Sequence, residues 1–388
     1  MKHSGEDRPV KDIQAEGPGA PDAAPETGKP QAQRKIAGAG DQRPTLKTIA
    51  FMTGLGITTV SKALKDAPDI GEATKQRVKL VAKQVGYRPN RAGVRLRTGR
   101  TNVISLILDT EEEIIGLTSQ MIQGISETLA GTPYHLVLTP YTRRQDPMDP
   151  VRYVVETGSA DGVILSTTRA DDPRVRYLDE HGMPFATHGR TQMGITHAFH
   201  DYDNEAFAGD AVSLLAGLGR KRLALIAPPA GLTYTRHMQD GFLNGLNDHS
   251  LHAVPLTSVS LQNSIQEIAE AIRKLMSGPN PPDGIVAGSA GAGIGACFGA
   301  EQAGLCLGRE LDIVSKQSSF DLLTWFRPGL NVITENFREA GKDLAAKVLA
   351  LIEGTPAKDL QTVVYSGRAI ARTQSDHLPQ PAQPSQIP

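Results

Sequence analysis

The sequence predicts two architectures in one chain: a small all-α head near the N-terminus, then an α/β core of two similar lobes built on parallel sheets. Three observations carry this. Residues 45–101 read as three short helices followed by a basic linker. From Asn102 onwards, short apolar strand runs alternate with helical patterns, and they do so in two successive sets. Charge also divides along the same line. The whole chain sums to −1, yet residues 41–100 hold 13 Lys and Arg against 4 Asp and Glu, while residues 101–388 hold 22 against 32. A positive module on a negative body is the footprint of one part that touches phosphates and another that stays off them.

At 388 residues the chain exceeds one ordinary core. Residues 1–44 are rich in Pro, Gly, Ala and Gln and hold only scattered large aliphatics, so they cannot offset their ordering entropy. They read as a disordered leader, and residues 373–388 as a disordered tail. The leader lacks an apolar signal core, and no run of eighteen apolar residues exists to span a membrane. Cys297 and Cys306, the only cysteines, suit reduced core thiols rather than a disulfide. The expected location is the bacterial cytoplasm, at the nucleoid.

In the head (45–89), Thr45 can cap a helix with Leu46, Ile49, Ala50 and Met52 inward. Gly54 supplies a left-handed turn that a Cβ would oppose. A second helix from about Ile57 to Leu64 buries Val60, Ala63 and Leu64, and its outward face carries Ile57, Thr58, Ser61 and Lys62. That face would enter a major groove. A third helix, about Glu72 to Val85, packs through Val78, Val81, Ala82 and Val85. A solvated three-helix subdomain would carry the same pattern. The arginine-rich linker over 90–101, with Leu96 at its centre, weighs for DNA.

In the core (102–372), strands are expected at 103–108, 134–139, 162–167 and 184–188, with a helix at about 117–129. A second set falls at 222–227, 284–289 and 311–314, with helices near 239–247, 265–276 and 293–303. The carboxyl ends of such strands face a cleft where small ligands bind. The polar residues just after strands are therefore candidates: Asp109, Thr110, His188, Arg190, Asp201, Asp203, Arg236 and His237. Each taken alone could equally be a helix cap or surface residue. Together they favour a hydroxyl-rich ligand such as a sugar.

Other motifs carry less. GSAGAGIGA (288–296) lacks the spacing of a dinucleotide fingerprint and reads as tight helix–sheet packing. His197 and His200 have metal-like spacing without completing ligands. No nucleophile elbow, P-loop or paired-carboxylate motif is in a supporting context, so no enzyme, metal or cofactor is expected.

The segments TLKTIA…G…TTVSKAL and GYRPNRAGVRLRTGRTNVISLIL resemble the lactose-repressor/galactose-repressor (LacI/GalR) family of transcription regulators nearly residue for residue, and the resemblance extends over about 45–372. It implies a periplasmic-binding-protein-like core, with one lobe of about 102–202 plus 335–362 and the other of about 203–334 plus 363–372. It implies that Ile57, Thr58 and Lys62 read bases, that Thr59 and Asn90 touch phosphate, and that residues 90–97 form a hinge helix only on the operator. Leu96 would wedge into the minor groove. Thr45, Lys47, Ser61, Arg91 and Arg95 complete the expected DNA contacts, and Asp109 and Glu335 fall where family members touch their sugar.

Departures from the family are Gly56 for a serine, Ser289-Ala290 for Asn-Asp, KQSS (316–319) for an Asp pair, and Met238 for an arginine. They suggest polar contacts shifted to His237, Lys316 and Gln317. Trp325 would stack on a sugar or pack at a dimer surface. The hinge and HGRT segments look most like regulators of α-glucoside operons. The resulting expectation is a homodimeric repressor of carbohydrate uptake or catabolism genes, which binds a pseudo-palindromic double-stranded operator and is released by a sugar, with no membrane association. Two alternatives stand beside it: control by a phosphorylated metabolite or protein partner, and a solute-binding protein with a vestigial head.

Overall fold

A computed structural model describes residues 44–88, 95, 98–109, 117–142, 144–318, 323, 327 and 330–365. The expected leader, the tail, most of the hinge, Thr110 and Trp325 lie outside these residues. The chain divides into two compact units, one ending at Pro89 and the other starting at Asn90.

The first unit holds α1 (Leu46–Thr53), α2 (Ile57–Ala63) and α3 (Glu72–Gln84). Gly54 ends α1 at φ 67°, a conformation that costs a glycine little. Ile49, Ala50, Val60, Ala63, Val78 and Ala82 form the core. Met52 was expected inward, but it is 51% exposed. Thr53 takes the buried place one turn above Ile49 and satisfies its hydroxyl on Ile49 O at 2.7 Å.

The second unit begins, in its described part, with Arg95 and Thr98 in helical backbone, the Gly99 N–H donating to Arg95 O. There follow β1 (Val103–Asp109), α4 (Leu117–Leu129), β2 (His135–Tyr141), α5 (Met148–Thr157), β3 (Gly162–Leu165), α6 (Pro173–Glu180), β4 (Phe185–His188) and β5 (Ala198–Tyr202). The chain then builds α7 (Asn204–Gly217), β6 (Arg222–Ile226), α8 (Thr233–Asp248), β7 (His252–Ala253), α9 (Ile265–Met276), β8 (Gly284–Ala287), α10 (Ala290–Gln302), β9 (Asp312–Ser318) and β10 (Asn331–Glu335). It closes with α11 (Phe337–Ile352), a 3-10 turn (Ala357–Asp359) and β11 (Gln361–Val364).

Two parallel sheets result, ordered β11-β5-β4-β3-β1-β2 and β10-β9-β8-β6-β7. Both faces of the central strands are covered, which is why β1, β3, β6 and β8 read as continuous apolar runs, while the edge strands β2, β7 and β11 stay partly exposed. On the first sheet Ile104, Leu106 and Ile164 pack towards α4 and α11, and Ile107, Val163 and Leu165 pack towards α5 and α6. The second sheet has an equivalent pair of cores. Among the described residues no helix is long and apolar enough to cross a membrane.

Three expectations need correction. Val363 and Val364 were assigned to the second lobe, but β11 pairs with β5 and belongs to the first. The chain returns to the second lobe one residue later, where Tyr365 packs against its core. The helix expected from Gln239 begins at Thr233, so Arg236 and His237 sit inside its first turns rather than on a preceding turn. Only Cys297 is a core thiol, its pKa pushed up to about 12 by burial, while Cys306 is exposed. The glycine run of 288–296 starts α10 at Ala290, with Ser289 as its cap, and packs tightly. A Cβ on Gly293 would lie 2.3 Å from Ser315 Oγ, and one on Gly295 would lie 2.8 Å from Ile268.

Candidate DNA-reading head and inter-lobe cleft

In the head, Thr45 and Thr48 form a reciprocal capping box at the start of α1. Gly56 heads α2 with no side-chain bond. The outward face of α2 follows from its period. Val60 and Ala63 are consumed by the core, which leaves Ile57, Thr58 and Lys62 exposed and Thr59 and Ser61 half-buried. Ile57 is 44% exposed. Lys62 is tied to Asp69 at 2.5 Å, and this contact holds the Asp69 carboxyl below its usual pKa against the opposing effect of desolvation. Lys47 is exposed on α1. Asn90, Arg91 and Leu96 lie outside the described residues. Arg95 does not point to an unoccupied surface: its Nη2 donates to Thr157 O at 2.8 Å, at the C-terminal end of α5 in its own unit.

In the second unit the strand ends of both sheets converge on one cleft with about 180 Å³ of free space. One water needs only ~10–15 Å³ on that measure, so the cleft has room for a small molecule. Asp109, His188, Gln317 and Glu335 all line it. Asp201 lines it as well, with Arg190 behind it at 2.9 Å. Burial raises the Asp201 pKa, and Arg190, His188 and His237 oppose that rise only in part.

Like Arg190, three more expected residues are off the lining. Asp203 accepts from Ala206 N at 2.9 Å as the cap of α7, because strand alternation stops at Tyr202. Arg236 faces solvent and pairs with Asp240. His237 is half-buried beside, not on, the lining.

The floor of the cleft is an ion-pair network. Lys316 Nζ lies 2.9 Å from Glu335 Oε2, bonds Asn204 Oδ1, and sits 4.4 Å over the Tyr202 ring. His188 Nε2 stands 3.5 Å from the other Glu335 oxygen. Burial alone would raise the Glu335 pKa, but Lys316 and His188 outweigh it and hold the carboxyl at about 2. A second network adjoins it: His200 Nδ1 meets Asp343 at 2.7 Å, and Lys347 binds both Asp343 and Thr362. His197 is engaged at both ring nitrogens, by Ile195 O and Thr187 Oγ1.

The strand-end rule missed Thr168, Tyr202, Asn204 and Thr233, which also line the cleft. Ser166 and Thr167 ended an expected strand that stops at Leu165, so their place in the loop was hidden.

Comparison with known proteins agrees with this geometry. Residues 45–90 match the model of bacterial regulatory proteins of the lacI family, and residues 102–369 match that of periplasmic binding proteins and the sugar-binding domain of the LacI family. The HTH-type transcriptional regulator RafR of Escherichia coli is 30% identical over 333 residues, spanning 84% of this chain and 98% of RafR. The lac repressor dimer bound to operator and the anti-inducer ONPF superposes with a TM-score of 0.71 at 18% identity, over 81% of this chain and 94% of that one. The CelR–cellobiose complex gives 0.57 at 22%, over 83% and 97%. The chain therefore belongs to the LacI family of bacterial DNA-binding transcription regulators.

Proposed function

We propose that this regulator represses carbohydrate uptake or catabolism genes and leaves its operator when a sugar occupies the inter-lobe cleft. The observation that carries the reading is the convergence of Asp109, His188 and Asp201 from one sheet with Lys316, Gln317 and Glu335 from the other. Hydroxyl groups can both donate to and accept from such a mixed set. CelR, a structural relative, was solved with cellobiose, and an α-glucoside suits the family type suggested by the hinge and HGRT segments. Lys316 and Arg190 are each already paired with a carboxylate, which favours a neutral ligand over a phosphorylated one.

As in the lac repressor complex, the working form is a homodimer on double-stranded operator DNA, each head reading half of a pseudo-palindrome. Ile57, Thr58 and Lys62 read base edges, and Thr45, Lys47, Thr59, Ser61, Asn90, Arg91 and Arg95 contact the backbone. Leu96 wedges the minor groove at the operator centre. Arg95 would have to exchange Thr157 O for phosphate on docking. The protein acts in the cytoplasm, at the nucleoid, as a regulator rather than an enzyme.

A thermal-shift screen against mono- and disaccharides and their phosphates, repeated with operator DNA, tests this. A neutral sugar should raise Tm and weaken operator binding. Stabilisation by sugar phosphates alone would replace this reading with the phosphorylated-metabolite one.

A further inference from the structure

The loop between β3 and α6 joins the two lobes, and its shape is imposed by a buried ion pair. Thr167 has φ 56°, a left-handed conformation that a β-branched residue avoids unless its surroundings compel it. Arg174 supplies the compulsion. Its Nη2 donates to Thr167 O at 2.8 Å and to Ser166 O at 3.1 Å. Its Nε and Nη2 also grip both oxygens of Asp172, at 2.9 and 2.7 Å, and Asp172 accepts the Arg169 N–H at 3.0 Å. Arg174 and Asp172 are both essentially buried. Both ends of the 166–169 loop are thus bolted to one fixed pair.

Between the bolts, Thr168 faces both lobes. Its hydroxyl donates to His188 O at 2.9 Å in the first lobe, and its carbonyl accepts the Thr233 N–H of the second at 3.2 Å. Arg169 and Leu232 form an antiparallel bridge alongside. Thr233 is the first residue of α8, so its N–H has no partner within the helix and is available to another lobe.

We propose that the 166–169 loop is a backbone latch that holds the lobes together at the effector cleft, and that Arg174 is the positioning residue that presents it. Effector control then acts in part through this latch. A ligand bridging the lobes favours the latched form, and breaking the Thr168–Thr233 bond opens the cleft. The inference deepens the proposed effector reading by naming how that cleft is regulated, but its test needs no effector.

The test measures inter-lobe distance in the full-length chain. Cys306→Ser with Glu180→Cys and Asn247→Cys gives one exposed labelling site on each lobe, read by spin-label distance measurement in protein diluted with unlabelled copies. Thr233→Pro removes the latch N–H and the side chain and sets a ring carbon against Thr168 O in place of the hydrogen. Proline is accepted at the first helical position, and Leu232 already has the extended backbone that must precede it (φ −83°, ψ 144°). Thr233→Val removes the hydroxyl but keeps the N–H.

Thr233→Pro should shift the distribution to longer distances, and Thr233→Val should leave it in place. Arg174→Met should lengthen it as the proline does, with Arg174→Lys partway. An unchanged distribution in folded Thr233→Pro, or equal opening by proline and valine, overturns the latch. If Arg174→Met does not fold, the Thr233 pair still decides. Failure of every sugar to bind would remove the effector reading and leave the distances to judge the latch.

Discussion

Lys316 and Glu335 stand on neighbouring strands, β9 and β10, with ammonium and carboxylate 2.9 Å apart and both side chains over nine-tenths buried. Neither charge could remain in that environment alone. Removing one partner leaves the other uncompensated, a loss of about 3–5 kcal/mol. Lys316→Met and Glu335→Gln should therefore each lower urea-unfolding stability markedly, while the double variant recovers much of the loss. Additive losses in the double-mutant cycle would mean the pair is not coupled.

Acid should find the same network. Glu335 has its carboxyl pKa lowered to about 2 against an ordinary 4.5, and Asp172 and Asp343 are also lowered, by Arg174 and by His200 with Lys347, against the opposing effect of burial. Groups with depressed folded-state pKa values contribute stability that is complete above the unfolded pKa and drains away below it. Tm should fall as pH drops from about 4.5 towards 2, and Glu335→Gln should flatten that part of the profile. Asp201, raised by burial, acts with the opposite sign and softens the fall.

The Lys62–Asp69 pair holds an expected base-reading lysine against its own domain and leaves a negative charge beside the reading helix. Asp69→Asn should release the lysine and tighten operator binding by about two- to fivefold, the range of exposed ion pairs. Fluorescence anisotropy at fixed salt reads this directly; unchanged or weaker binding would remove Lys62 from the contact set.

Operator binding should weaken steeply with salt, each neutralised phosphate adding roughly −0.9 to the log–log slope. Lys47→Ala should reduce the slope by about one. A slope unchanged by this substitution would place Lys47 off the DNA backbone.

Helix pairs are spaced by glycine. A Cβ on Gly241 in α8 would lie 2.1 Å from Glu205 O in α7, a backbone atom that cannot rotate away. Gly241→Ala should cost about 1–3 kcal/mol through overpacking. Gly217→Ala, at the open end of α7 with nothing within 4 Å, should instead stabilise by up to about 1 kcal/mol. Calorimetric Tm values separate the two.

Much of this architecture was legible in the sequence because burial writes a periodic signal. The 117–129 and 265–276 helices were read residue for residue, and the apolar runs 103–108 and 222–227 marked their strands to within a residue. Polar positions were harder. Asp201 and Asp203 look alike on paper, yet one lies within a strand at the cleft and the other caps a helix. Arg236 and His237 were misplaced because α8 starts a turn and a half early, behind Leu232, with no side-chain cap to announce it. Thr168 and Thr233 meet each other through backbone groups, which carry no residue-specific signature.

The interleaving of the two sheets orders events during synthesis. The second lobe's strands run from Arg222 to Glu335 without interruption, whereas the first lobe needs α11 and β11, supplied only by residues 337–364. A ribosome therefore releases a complete second sheet before the first has its edge strand or its second covering helix. A chain cut short after Glu335 would keep the later lobe's sheet and forfeit the earlier one's closure.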